Sequence, residues 1–324
     1  MELAIGAALA LGGVALLIVG WKAWQQLIRR AGELAAEEAG IPSVPEPEGP
    51  VGSDGIVCLY AHQFVRPATK GGGRDRAFAV LTDQELDPED FALQLLYALL
   101  TDLFREGRLD FRMAEREPSY TPPFPNKAWE LQVRQLGELP ASPLANAMGV
   151  AFEMILGRRR GRRGRAAEAD DDWVALDDLI DRMLRAIRQE LSFWERTGVY
   201  GDLRTYVENA LVAQGYLIHP KQTTWLDRVR QRRRRPNVEA IEELAEEAQQ
   251  LRARLVSFRQ QYGSPYATED LAEEGPLPIQ QVDPELMDTK RSLGELPLDD
   301  CLRASLYEVL TSLRQLEPSS DAGV

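Results

Sequence analysis

Histidine and cysteine are nearly absent, at two of each in 324 residues. Cys58 lies in an apolar run and Cys301 in an amphipathic segment, so they read as buried free thiols. Neither a disulfide framework nor a CxxC redox pair is present. His62 and His219 are far apart, and neither belongs to an HExxH or similar spacing. That excludes an ordinary zinc site and leaves them as strand-end or loop residues. GxSxG, SxxK and dinucleotide fingerprints are also missing. TKGGGR at 69–74 has the wrong order for a phosphate-binding GxxxxGK[ST] loop and reads as a hairpin tip. Asp170, Asp171 and Asp172 precede a helix, where carboxylates favour the positive end of the helix dipole. No catalytic residue, cofactor or metal is therefore assigned, and the expectation is a protein without catalytic chemistry of its own.

Charge is missing from one stretch. Residues 3–21, LAIGAALALGGVALLIVGW, hold no ionisable side chain, and Lys22, Arg29 and Arg30 follow. Nineteen helical residues span about 28 Å, close to the hydrocarbon core of a bilayer. Trp21 and Trp24 fall at headgroup level, and the basic flank places the N-terminus outside and the body in the cytoplasm. The expectation is a single-pass anchor in a cell inner membrane or plasma membrane. A cleaved signal peptide fits less well, because no Lys or Arg precedes the apolar run. A buried core helix would have to hide Gly12, Gly13 and Gly20.

Beyond the anchor (1–24), a helical extension and Pro/Gly-rich spacer covers 25–55. The apolar runs at 56–61 and 78–81 read as strands. A helix follows, with Asp87 as N-cap, Pro88 at its first position and Phe91, Leu95, Leu99 and Leu103 on one face. Gly107 stops it, and alternating segments at 109–113 and 129–133 form two strands around a proline-rich loop. The same grammar returns about 108 residues later. Helices over Asp177–Trp194 and 203–214 lead to Gly215, the strand YLIH and a return strand in TTWL. The alternative is two unrelated amphipathic helices that both end at glycine. The fold class is mainly α with small β-hairpins. Two winged-helix-like subdomains at 56–140 and 141–235 follow the anchor, and a helical hairpin or assembly module fills 236–316 before a tail at 317–324. Ile241, Leu244, Leu251, Leu255 and Phe258 form a narrow helical seam, which pairs within the chain or between copies as in a coiled coil.

Arginine outnumbers lysine 33 to 5, a composition that fits a GC-rich bacterial genome. Six arginines lie at 158–165 (Arg158, Arg159, Arg160, Arg162, Arg163, Arg165) and six at 228–235 (Arg228, Arg230, Arg232, Arg233, Arg234, Arg235). Without these twelve, 26 basic residues face 51 acidic ones, leaving a net charge near −25. Such compact positive loops would touch anionic lipid, an acidic protein partner or another copy of the chain, nucleic acid, or solvent. Nucleic acid is the weaker reading, since the helix at 91–105 offers few donors to base edges. Tyr120 and Phe124 on the proline-stiffened loop complete the expected contact surface. The leading expectation is a membrane-anchored scaffold or adaptor that binds protein partners at the inner face. The alternatives are a membrane-tethered nucleic-acid-binding regulator and an enzyme with scattered side-chain chemistry.

Overall fold

The computed structural model describes residues 47, 49–69, 76–115, 129–163, 172–193, 195–218, 234–264 and 297–317. These lie within one compact unit, 46–324. The chain at 53–64 is helical, as α1 (Ser53–Leu59) and α2 (Ala61–Phe64), where the apolar run at 56–61 suggests a strand. Every residue of α1 is buried, and a short run that is apolar on all sides cannot tell a buried helix from a strand. The strand at 78–81 shrinks to β1 (Ala77–Phe78), paired antiparallel with β2 (Glu85–Leu86).

Helix α3 (Pro88–Arg105) is the centre of the fold. The Asp87 carboxylate accepts from the amides of Glu89 (3.0 Å) and Asp90 (3.2 Å), and Pro88 needs no such partner. Residues around its whole circumference are buried, from Phe91 and Gln94 to Tyr97, Leu100 and Leu103. It ends in a Schellman motif: Arg108 N–H bonds the Leu103 carbonyl (2.9 Å), and Gly107 N–H bonds Phe104 (3.0 Å) with φ +68°. The chain then enters β3 (Leu109–Glu115), which pairs antiparallel with β4 (Trp129–Gln135), placing Phe111 opposite Val133 and Met113 opposite Leu131.

Helix α4 (Pro143–Arg163) was not foreseen in its own right, and it carries arginines that had been read as loop. Ser142 hydroxyl accepts from Ala145 N–H (3.4 Å) at its start, a Ser-Pro signal that Gly149 and Gly157 obscure. Next, β5 (Val174–Ala175) joins the free side of β4 and leads directly into α5 (Leu176–Glu190). Helix α6 (Val199–Ala213) repeats the ending of α3. Tyr216 N–H bonds Leu211 (2.9 Å), Gly215 N–H bonds Val212 (3.1 Å), and Gly215 has φ +82°. Strands β6 (Leu217–Ile218) and β7 (Arg235–Pro236) follow as a minimal pair, and TTWL, expected as a return strand, lies outside the described residues.

The C-terminal part comprises α7 (Val238–Glu242), α8 (Ala245–Tyr262) and α9 (Leu298–Gln315). The seam residues Ile241, Leu244, Leu251, Leu255 and Phe258 are all buried in the common core. Helix α8 packs on α1, α3 and α9, and α9 packs on α3, α5, α6 and β4, so the two helices pair within the chain.

The architecture is mainly α with small antiparallel hairpins, but the membrane-spanning part of the expected fold is corrected. Among the described residues no helix is long and apolar enough to cross a membrane. Helix α5 is amphipathic: it buries Leu179, Ile180, Met183 and Ile187 while charged residues such as Asp181 and Arg185 pair on its other side. The apolar segment 3–21 lies outside the described residues.

Because Gly107 and Gly215 sit in the left-handed region, replacing either with alanine is expected to cost about 1 kcal/mol. Urea unfolding midpoints should fall for Gly107→Ala and Gly215→Ala but hold for Gly137→Ala, which has open space and no positive φ. Equal midpoints for all three would remove the Schellman account.

Candidate functional site

Ionisable groups are buried in several places, and each has to be accounted for before any is given a role. The largest cluster joins α3, α8 and α9. Tyr97 hydroxyl donates to Asp299 Oδ1 (2.6 Å), and Arg303 Nε donates to Asp299 Oδ2 (2.8 Å). Arg303 also bonds Asp300 Oδ1, whose Oδ2 accepts from Ser264 N–H (2.9 Å). Arg259 Nε reaches the Tyr97 oxygen at 3.3 Å, with its guanidinium carbon 5.1 Å from that ring's centroid. Two carboxylates and two guanidiniums thus balance inside a buried site. Burial pushes the Tyr97 phenol well above its ordinary range, and burial likewise raises Asp300 against the pull of Arg303. A phenol held protonated as a donor is structural, not a general base.

Two further buried carboxylates fasten helix ends. Asp202 accepts from the amides of Thr197 (2.9 Å) and Gly198 (3.3 Å) and from Arg188 Nε (2.7 Å), while Arg188 also pairs with Glu317. Asp54 accepts from Leu144 N–H (2.8 Å) and Gly55 N–H (3.0 Å), and Ser142 bonds it as well. Burial raises the Asp54 pKa, and these hydrogen bonds oppose the rise. Asp54 therefore fills the positive N-terminal end of α4 from within the protein.

One open concavity adjoins these helix ends. A cleft of about 310 Å³ is lined by Ala141, Pro143 and Asn146 at the start of α4, Glu190 and Leu191 at the end of α5, and Tyr206, Asn209, Ala210 and Gln214 of α6. Its volume is at the lower limit of ordinary ligand sites. Glu190 is exposed and hydrogen-bonded by the Tyr206 hydroxyl; burial, followed by the Glu190 charge, pushes that phenol up to about 12. Asn209 is held from both sides: its Nδ2 donates to Glu195 Oε1 (3.2 Å) and its Oδ1 accepts from Arg234.

Of the predicted contact residues, Arg158, Arg234 and Arg235 have described side chains. Arg158 is exposed on α4. Arg159, Arg160, Arg162 and Arg163 belong to the same helix, with side chains outside the described residues, as are Arg165, Arg228, Arg230, Arg232, Arg233, Tyr120 and Phe124 altogether. Arg235 is exposed in β7. Arg234 turns inward, pairing with Glu208 (3.1 Å) and bonding the Thr205 carbonyl (3.4 Å). None of the cleft residues is assigned to a site by the sequence, because three helix ends far apart in the chain supply them. The Ser142–Pro143 cap was the one local signal available.

Among the described residues no group of three His, Cys, Asp or Glu is placed to hold a metal ion. His62 is half-buried with its pKa lowered by burial, and His219 lies outside the described residues. No protein-family model, curated protein or solved structure matches the chain.

Two predictions follow from the buried groups. Tyr97→Phe should cost about 1–3 kcal/mol in urea unfolding, and Arg303→Met about 3–5 kcal/mol, because the latter strands two buried carboxylates. A smaller loss for Arg303→Met than for Tyr97→Phe would contradict the network. Cys301 is pushed up to about 12 by burial and Cys58 is raised well above its usual value, so both thiols stay protonated at pH 8. Ellman's reagent should find no rapidly reacting thiol in the native protein and two after denaturation. A fast native thiol would show that one of them is accessible.

Proposed function

We propose that this chain is a recognition domain that binds its ligand without transforming it, in the cleft between the start of α4 and the ends of α5 and α6. The observation that carries the reading is the contrast between that cleft and the rest of the polar interior. The buried carboxylates of Asp54, Asp202 and Asp299 are saturated by internal donors, whereas the cleft is lined by the exposed Glu190 carboxylate, the exposed Asn146 and the half-buried Gln214. Its Tyr206–Glu190 pair is poorly suited to proton transfer near neutral pH, because the phenol is pushed up to about 12.

The membrane-anchored scaffold and the membrane-tethered regulator are not carried forward. No described helix is long and apolar enough to cross a membrane, so integral single-pass placement at an inner or plasma membrane has no support among the described residues. Groove reading by the first helix–strand–strand unit fails on packing. Its helix α3 is enclosed by α1, α6, α8 and α9, and cannot enter a nucleic-acid groove without dismantling the core.

A fragment library screened against the isotope-labelled full chain should perturb the amides of Asn146, Leu191, Asn209 and Gln214. Ala210→Trp, which fills the cleft from α6, should abolish those shifts while leaving the rest of the spectrum in place. Binding that maps elsewhere, or that survives Ala210→Trp unchanged, would overturn this site.

A further inference from the structure

Resting on that reading, the lining of the cleft also specifies the charge of what it holds. We infer that the cleft takes a guanidinium or ammonium group carried on an aliphatic stem, as in an arginine or lysine side chain of a partner polypeptide.

Among the described residues, Glu190 is the one charged residue that lines it. Tyr206, also in the lining, donates its proton to that carboxylate, which leaves its oxygen only acceptor capacity. The basic groups behind the walls are directed at internal acceptors. Arg188 bonds Asp202 (2.7 Å), Arg196 the Leu191 carbonyl (3.3 Å), and Arg234 pairs with Glu208 (3.1 Å). An anion entering here would meet Glu190 with no cation among the described lining residues to offset it.

The helix ends agree in sign. An unoccupied helix N-terminus attracts anions, but the start of α4 is already filled by the Asp54 carboxylate on Leu144 N–H. The other two helices contribute their C-terminal portions: Glu190 is the last residue of α5, and Gln214 caps α6. C-terminal ends carry the partial negative charge of the helix dipole and favour cations. Pro143, Leu191 and Ala210 supply an apolar wall along which a methylene stem lies, with the charged head at Glu190. The volume fits one such side chain and a little of its backbone, not a folded surface.

The test uses the full chain and four small probes followed by amide shifts. N-acetyl-arginine-N-methylamide and its lysine counterpart should bind saturably at millimolar concentration, moving Asn146, Leu191, Asn209 and Gln214. The citrulline derivative, an uncharged isostere of arginine, should bind about tenfold more weakly, the usual worth of a charge-assisted hydrogen bond. Glu190→Gln, a change on an exposed side chain, should remove that preference by weakening the arginine probe alone. Spermidine separates a free polyamine from a peptide side chain: tighter binding than both amino-acid probes would overturn the polypeptide assignment. Citrulline binding as well as arginine, or an unchanged preference in Glu190→Gln, would overturn the cationic assignment and leave the cleft in place. If no probe and no fragment moves the lining amides, the cleft reading fails with it.

Discussion

The contact between the Tyr97 hydroxyl and the Asp299 carboxylate joins residues 202 positions apart, and much of the remaining geometry depends on it. Helix α9 packs in the core, and apolar burial of Leu302, Leu306 and Val309 would tolerate some sliding along α3. The polar cluster does not, because a shift would take the buried Asp299 from the Tyr97 hydroxyl and Asp300 from Ser264 N–H, while the Arg303 pairs lie within α9 and would move with it. With α9 fixed, Glu317 just beyond it meets Arg188, and Arg188 in turn holds Asp202 at the start of α6. Glu190 lies two residues after Arg188 on the same α5 terminus. The cleft carboxylate thus sits on the same helix terminus that Arg188 ties to Glu317 beyond α9 and to Asp202 of α6.

Local signals were legible where one helix carried all of them. Helix α3 announced itself through Asp87, Pro88 and a broad apolar face, and both glycine stops were visible because no other residue suits a left-handed C-terminal position. The seam at 241–262 was visible as spacing, although the turn at Glu243–Leu244 that divides α7 from α8 was not. Failures came where a pattern was ambiguous or masked. Helix α1 is buried on every side and so shows no period, and the glycines of α4 and its basic end disguised a helix with a sound N-terminal cap. The cleft was illegible for a different reason: its lining comes from three segments whose meeting is decided by tertiary packing. No window of sequence contains Asn146, Glu190 and Tyr206 together.

Charge counting was similarly informative in total and misleading in detail. A net charge of −13 with clustered arginines suggests a positive patch on an acidic body. Yet Arg234, from the second cluster, is an interior group, with Glu208 and Asn209 as its partners. Arginine suits this use because its planar, permanently charged fork can satisfy several acceptors at once. A run of like charges in sequence therefore does not establish a run of like charges on the surface.

The two glycine-stopped units show how one local device is put to different ends. After α3, the strands pair over seven residues each and acquire β5 as a third strand, so the hairpin becomes a wall of the core. After α6, pairing spans two residues, and what the second strand delivers is Arg234 at the flank of α6. There the guanidinium holds Asn209, which lines the cleft, while Glu208 neutralises it. Had that arginine been left unpaired, its charge would compete with any cation for Glu190. Neutralising it internally lets one exposed carboxylate determine the sign of the site, which is why the internal ion pairs belong to the recognition argument as much as to stability.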